Sequence, residues 1–283
     1  MRKIINLKKR KFIGKREVIV MVLAVVLTSI GIKASDNFLE PNENELALGD
    51  GQCPKGMVFV NTPTGGFCID EYEVAPGDDC LYANPANQKE SRLNLDYADC
   101  KPKSEPGNLP WRFISQNQAA IACAKAGKRL PTNKEWLAAA LGTPDIEKGW
   151  SEEDCNVASN WGFSPGPSGS GDKCKSAYGA YDMIGNVWEW VDGTAHDGVY
   201  DDKILPESGY IEGIDSEALP SATDLGSGDA NYYYDYFWIK NKGVRGMARG
   251  GYWNNNADAG QYALYVVSEP SFVGTGVGFR CVK

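Results

Sequence analysis

The eight cysteines and the single histidine are the residues of this 283-residue chain that could do thiolate or imidazole chemistry. One histidine, His196, leaves a zinc site short of its usual ligands, and no two cysteines stand in a C-x-x-C spacing. His196 also lies in a polar stretch with no nucleophile motif beside it, which argues against Ser-His-Asp catalysis. The even cysteine count favours disulfides.

Glu189 is a second residue that requires a chemical explanation, because it stands between Trp188 and Trp190. A carboxylate among large apolar side chains needs a partner. A calcium ion shared with backbone carbonyl oxygens is one partner. A structural role, in which the carboxylate is bonded to backbone amides or to Arg249, is the other. The sequence leaves both interpretations open.

Three consecutive asparagines, Asn254 to Asn256, lie in the stretch RGGYWNNNADAG (249–260). Asparagine is a poor strand residue and a mediocre helix residue, so the run predicts a loop. Such a loop could be an active site, a binding surface or a connection that tolerates many residues.

The N-terminal segment predicts export. Residues 1–34 begin with a basic stretch and continue into an apolar run at 18–32, which is typical of a signal peptide or a short signal-anchor. Ile32 is a poor fit at the −3 position of a cleavage site, so cleavage and retention both stay open. Residues 35–52 form an acidic linker. We therefore expect the protein at the cell surface, held by its N-terminal anchor, or secreted.

Charge restricts the partners. The chain carries 37 acidic and 29 basic residues, and the basic ones are concentrated before the apolar run. The exported part should repel nucleic acid and anionic lipid. We expect no nucleic acid, membrane contact only through the N-terminal segment, and an unknown protein or surface ligand as partner.

The exported part must be built from many short elements, since it is rich in glycine and proline and poor in long apolar runs. Spacing suggests a hairpin over 57–74 and two capped helices, over 115–127 and 132–142. Residues 75–110 are predicted to form a loop, and residues 193–247 are predicted to be an insertion. The spacing of the cysteines suggests three disulfides, Cys53–Cys68, Cys80–Cys100 and Cys155–Cys174. Cys123 and Cys281 remain and would form the fourth. An oxidising compartment would allow all four to form.

Four motifs, in this order, resemble the formylglycine-generating enzyme / sulfatase-modifying factor family: KRLPTNKEW (128–136), YDMIGNVWEW (181–190), ARGGYW (248–253) and GFRCV (278–282). The resemblance covers residues 53–283. It implies an α+β, C-type-lectin-like fold that is irregular and loop-rich, with two short helices and small antiparallel sheets.

The same resemblance implies metal sites. A structural calcium would be bound by the side chains of Asp182 and Glu189 and by the carbonyl groups of Gly185 and Val187. A weaker match places a second calcium near three further residues: Asn160, Trp161 and Asp172.

Enzyme activity is not expected. The two cysteines that bind copper in the enzymes of this family fall at Asn255 and Gly260, and an amide does not replace a thiolate for soft copper. The related iron-dependent sulfoxide synthases need a histidine-rich site, which one histidine cannot supply. The alternative is a formylglycine-generating or related oxidative enzyme with displaced catalytic residues.

A second resemblance concerns residues 250–280, which look like the variable region of proteins diversified by retroelements. It implies a non-enzymatic ligand-binding protein whose variable positions alternate with fixed ones, whereas an ordinary polar lectin-like loop is the other interpretation. The expected ligand-binding residues are Tyr252, Asn254, Asn255, Asn256, Asp258, Tyr265, Val267, Ser268, Phe272, Gly274 and Gly276.

Overall fold

A computed structural model describes residues 53–283 of the chain. The predicted signal segment at 1–34 and the acidic linker at 35–52 lie outside the described residues. Within 53–283, no helix is both long enough and apolar enough to cross a bilayer.

Three helices form where the sequence analysis expected two: α1 (Gln88–Asp96), α2 (Gln116–Lys125) and α3 (Asn133–Ala140). The predicted capping boxes at the starts of α2 and α3 are both present, from Ser115 with Gln118 and from Thr132 with Glu135.

Helix α1 lies in the segment that was predicted to be a loop, and that prediction was wrong. The side chain of Asn87 caps its first turn by accepting from the Glu90 N–H. Its buried residues are polar, and Ser91 accepts from the Trp111 ring N–H at 3.0 Å while Asn94 exchanges two hydrogen bonds with the backbone of Tyr82. A helix that buries polar groups lacks the apolar period that reveals a helix in a sequence.

The strands fall into two small sheets and one large sheet. Their bounds are β1 Met57–Val60, β2 Phe67–Asp70, β3 Ala75–Pro76, β4 Pro102–Lys103, β5 Trp188–His196, β6 Val199–Tyr200, β7 Lys203–Ile204, β8 Gly209–Ile214, β9 Pro220–Asp224, β10 Tyr236–Ile239, β11 Val244–Arg249, β12 Leu264–Val266 and β13 Val277–Phe279. Strands β1 and β2 make the predicted hairpin, and β3 pairs with β4; both pairs are antiparallel. The α+β class with small antiparallel sheets is confirmed.

The large sheet has nine strands and is mixed, which the sequence analysis did not anticipate. Its order is β7-β6-β5-β11-β12-β10-β8-β9, and β13 pairs with β5 in parallel. The segment 193–247 supplies much of this sheet. Its strand β10 pairs in parallel with β12 and sets Trp238 opposite Tyr265. The insertion is therefore integrated into the sheet.

Side chains from the two faces of the sheet enter two apolar clusters. One cluster contains Phe237, Leu264 and Val266, and the other contains Trp190 and Phe279. The period of two along each strand sends neighbouring residues to opposite clusters or to the surface.

All four predicted disulfides are confirmed, and together they include all eight cysteines. The longest link, Cys123–Cys281, joins α2 to the last residues of the chain across a sequence separation of 158.

Candidate binding face and the buried polar centre

We call the eleven residues expected to bind ligand the candidate face. Each of them is exposed or half-buried: Tyr252, Asn254, Asn255, Asn256, Asp258, Tyr265, Val267, Ser268, Phe272, Gly274 and Gly276. Of the other residues of 250–280, twelve are buried: Gly250, Gly251, Ala259, Gly260, Gln261, Ala263, Leu264, Val266, Val277, Gly278, Phe279 and Arg280. Eight are half-buried or exposed like the face: Trp253, Ala257, Tyr262, Glu269, Pro270, Ser271, Val273 and Thr275. One segment therefore divides into outward and inward side chains.

Strand β12 shows how this division arises. Leu264 and Val266 have no exposed surface and join the core that contains Phe237. Tyr265 lies on the other face of the strand, packs against Trp188 with ring centroids 5.5 Å apart, and shares a 2.9 Å hydrogen bond with the Ser268 hydroxyl.

The three asparagines differ from one another. Asn255 is half-buried, and its side-chain oxygen accepts from the Tyr252 N–H at 2.9 Å, which closes the turn. Asn256 is exposed and has a positive φ of 55°, a backbone region that asparagine tolerates better than most residues. Asn254 is exposed, and its side-chain oxygen accepts from the Ser159 hydroxyl at 3.1 Å.

Two glycines of the face make room for its aromatic rings. A side chain at Gly276 would bring its Cβ to 3.0 Å from the Tyr252 ring, and one at Gly274 would come to 3.2 Å from the Phe272 ring. Phe272 itself is 45% exposed. The absence of a side chain at these two glycines thus leaves room for the rings.

The insertion adds aromatic residues beside the face. Trp238 is half-buried and packs edge-on against Trp188 at 5.4 Å, and Tyr236 packs against Trp238 at 4.8 Å. Tyr210 continues the row against Tyr236 at 5.1 Å. The aromatic cluster at 231–240 was visible in the sequence, but Tyr210 carried no signal, because its place in the row depends on the pairing of β8 with β10.

Behind the face lies the buried polar centre, formed by Glu73, Asp182, Glu189 and Arg280. Glu189 accepts from Arg280 Nε and Nη2 at 2.6 to 2.8 Å and from the Trp136 ring N–H at 2.6 Å. The sequence analysis named Arg249 as the alternative partner, and that choice was wrong. Arg249 instead donates to Asn133 and to backbone carbonyls.

Asp182 has an open oxygen in this centre. Its Oδ2 accepts from the Gly169 N–H at 2.6 Å, whereas its Oδ1 is buried without a hydrogen-bond partner. Burial raises the pKa of Asp182 to about 7. Glu73, which the sequence analysis missed, accepts from Ser168, Asn186 and the Val187 N–H. Burial, with the charges of Asp182 and Glu189, raises its pKa well above the ordinary value.

The predicted calcium residues fit an ion only in part. Asp182 offers a free oxygen and lies in an acidic surrounding, as a hard cation prefers. Glu189 has both oxygens occupied by donors from Arg280 and Trp136. Within residues 53–283, no group of three or more histidine, cysteine, aspartate or glutamate side chains is arranged to hold a metal ion.

The weaker set serves other contacts. The Asn160 side-chain oxygen accepts from the N–H groups of Val157 and Ala158, and the Trp161 ring N–H donates to a backbone carbonyl. Asp172 is exposed. The Asn160 oxygen thus organises its own loop.

The two positions at which the sequence analysis places the copper-binding cysteines of the family differ in environment. Asn255 holds the turn described above, and Gly260 is fully enclosed. A Cβ atom at 260 would overlap the carboxylate of Asp235, which the insertion contributes. A side chain at this position would require that carboxylate to move.

Comparison with known proteins identifies a family and several relatives. Residues 40–283 match the family described as sulfatase-modifying factor enzyme 1-like domain. The chain is 31% identical to the inactive C-alpha-formylglycine-generating enzyme 2 of Mus musculus, over 39% of this chain and 40% of the mouse protein. It is 37% identical to the formylglycine-generating enzyme of Mycobacterium tuberculosis, over 25% of this chain and 29% of that enzyme. The chain therefore spans less than half of the length of these relatives.

Among solved structures, Treponema denticola variable protein 1 is similar with a TM-score of 0.44 and 17% identity, over 83% of this chain and 95% of that one.

Proposed function

Because the chain belongs to the family of sulfatase-modifying factor enzyme 1-like domains, we propose that it is a non-enzymatic member that binds a ligand through the candidate face. The observation that carries the proposal is the division of residues 250–280 into an exposed set and a buried set. A surface built in this way can change its contacts while the fold is kept by other residues.

The absence of catalytic cysteines supports a role other than oxidation. All eight cysteines of the chain are in disulfides, so no thiolate remains to bind copper. In addition, the Asp235 carboxylate fills the space beside Gly260 where a cysteine side chain would stand.

The chemistry of the face suits recognition of a protein or another surface ligand. Tyr252, Tyr265 and Phe272 offer large rigid contact areas at low entropic cost, and the asparagines and Ser268 offer adaptable hydrogen bonds. This mixture is found in antibody paratopes. The half-buried Trp238 extends the aromatic surface beyond the eleven positions.

We further propose that the face is diversified by a retroelement. At all eleven positions a substitution meets solvent or a half-open environment, as a mutagenised region requires. Comparison of the gene among isolates tests this. We expect differences at the eleven face positions, none at Leu264, Val266 or Phe279, and a template repeat beside a reverse-transcriptase gene. Differences spread evenly over buried and exposed positions would contradict it.

The catalytic alternative is tested with the purified protein and a cysteine-containing peptide in air-saturated buffer. We expect no conversion of the cysteine, with or without added copper. Oxygen-dependent conversion would favour an enzyme with displaced catalytic residues.

The four disulfides indicate an oxidising compartment. We propose that the protein is exported and either anchored by its N-terminal segment or secreted, so that the face meets its ligand outside the cytoplasm. Protease added to intact cells should remove it, and protection of the protein in intact cells would contradict this location.

Finally, we propose a structural calcium at Asp182, together with the carbonyl oxygens of Gly185 and Val187. The support is the buried Oδ1 of Asp182 that has no partner. Calcium should raise the melting temperature, and Asp182→Asn should reduce that rise. An equal rise in the variant would contradict this ligand set.

A further inference from the structure

We propose a second cation site in this protein, in which Asp145 and Asp235 bind a hard divalent cation with the side-chain oxygen of Gln261. The site is separate from the buried polar centre and does not depend on the proposed binding function. The cation would join three parts of the chain: the segment after α3, the insertion, and the residues just before β12.

The two carboxylates meet at one turn of the backbone. Asp145 Oδ2 accepts from the Gln261 N–H at 3.1 Å, and Asp235 Oδ2 accepts from the next N–H, that of Tyr262, at 2.7 Å. Consecutive amides thus hold one oxygen of each carboxylate, and the Oδ1 atoms are left for another partner.

Two buried oxygens at this turn lack any partner. Asp235 has no exposed surface, and its Oδ1 makes no hydrogen bond. Gln261 is only 4% exposed, and its Oε1 makes none either. Asp235 is bonded to the residue that follows Gln261, so the two acceptors lie at one turn. They need a donor or a positive partner, because a buried acceptor without one is costly.

The nearest cation does not supply that partner. Arg249 is buried and feels the Asp235 charge, but it donates to Asn133, Tyr262 and Ala218 through the bonds that the structure shows. Burial first, and then the charge of Asp145, raises the pKa of Asp235 well above its ordinary value. Burial likewise raises the pKa of Asp145 to about 7. A bound cation and a shared proton are the two ways to relieve this repulsion.

The ligand chemistry favours a hard cation. All the available atoms are oxygens, from two carboxylates and one amide, which is the set that calcium prefers. Asp145 is half-exposed, so the site opens to solvent on one side. Water can therefore complete the six to eight ligands that calcium commonly takes.

Gly260 belongs to the same arrangement. The Asp235 carboxylate lies where a side chain at 260 would begin, so glycine is required for the insertion to reach this turn. The cation would then hold Asp235 against residues 260–262, and the insertion with its Trp238 against β12.

The test counts calcium ions bound per chain after dialysis at neutral pH, by elemental analysis, in the whole exported protein. Asp235→Asn keeps the shape of the side chain and an oxygen for the Tyr262 N–H, but removes the charge. We expect it to bind one calcium fewer than the wild-type protein, and Asp145→Asn to do the same. Asp182→Asn removes only the separate calcium proposed at the buried polar centre, so the double variant Asp182→Asn, Asp235→Asn should bind one calcium fewer than either single variant.

Terbium, which replaces calcium, gives a second measurement. Terbium emission excited through tyrosine should fall in Asp235→Asn, because the Tyr262 phenol lies near enough to this site that, after burial, the charges of Asp235 and Asp145 are among the causes that raise its pKa. If Asp235→Asn does not fold, the half-exposed Asp145→Asn gives the result. An unchanged calcium count in these variants overturns the proposal. So does a calcium-independent gain in melting temperature in Asp235→Asn, which would mean a shared proton instead.

Discussion

The candidate face lies in the last part of the chain, whereas the buried polar centre joins Arg280 of that part to Glu73, Asp182 and Glu189, and the two regions are held in different ways. The face combines short-range contacts with contacts to other segments. Asn255 bonds Tyr252 and Tyr265 bonds Ser268, each three residues away. Asn254 accepts from Ser159, and Tyr265 packs against Trp188. In the centre, Arg280 bonds Glu189 across 91 residues and the Asp70 carbonyl across 210.

This difference shows how one segment can combine variability with a fixed fold. Contacts within three residues can be lost without releasing any other element of the fold. The contacts of Arg280 tie the residues after β13 to β5 and β2, and Glu189 of β5 in turn accepts from Trp136 of α3, so losing the ion pair loosens several elements together. We expect stability to depend on the centre and ligand contact to depend on the face.

The largest expected effect is the loss of the disulfide that ties the end of the chain. The double variant Cys123→Ser, Cys281→Ser should lose about 4 to 5 kcal/mol of unfolding free energy, because this link closes a loop of 158 residues. Chemical denaturation measures it. The matched control is the pair Cys53→Ser, Cys68→Ser, whose separation is 15 and whose loss should be about 3 kcal/mol. A larger loss in the control would argue against a dominant role of the long link.

The ion pair of the centre comes next. Glu189→Gln should cost about 3 to 5 kcal/mol, because it leaves Arg280 buried and uncompensated. The control is Glu269→Gln, which breaks the partly exposed pair with Arg245 at 3.8 Å and should cost less than about 1 kcal/mol. Similar losses in the two variants would mean that the centre is not the stabilising region.

Two phenylalanines, one buried in the core and one on the candidate face, allow the two regions to be compared by the loss of packing. Phe279→Ala should cost about 3 kcal/mol or more, because its ring has no exposed surface and its removal leaves a cavity. Phe272→Ala removes the same ring from the face, where it is 45% exposed, and should cost less than about 1 kcal/mol. Thermal unfolding of both variants measures the two losses of stability. Equal losses would mean that Phe272 belongs to the core.

The smallest difference lies within the face. Asn255→Ala should cost about 1 kcal/mol, because the Tyr252 N–H loses its acceptor. Asn254→Ala should change stability by less than about 0.5 kcal/mol, since its side chain is exposed. If the two variants behave alike, the turn does not depend on the asparagine side chain.

Much of the fold could be predicted from the sequence, because the signals of its helices and strands are local or periodic. The capping boxes at Ser115 and Thr132 need only four residues each, and the alternation around Tyr265 needs only three. The fold type followed from four ordered motifs, and membership of the family confirms the C-type-lectin-like fold that they imply. The disulfide pairing followed from the spacing of the cysteines.

The tertiary structure alone decided which partners the buried charges take. Glu189 was recognised as a carboxylate that needs a partner, but the choice of Arg280 over Arg249 depends on the parallel pairing of β13 with β5. Asp145 and Asp235 meet only because β10 of the insertion enters the sheet beside β12. A capping box or a strand period acts over a few residues, whereas the partner of a buried charge is fixed by chain segments that only folding brings together.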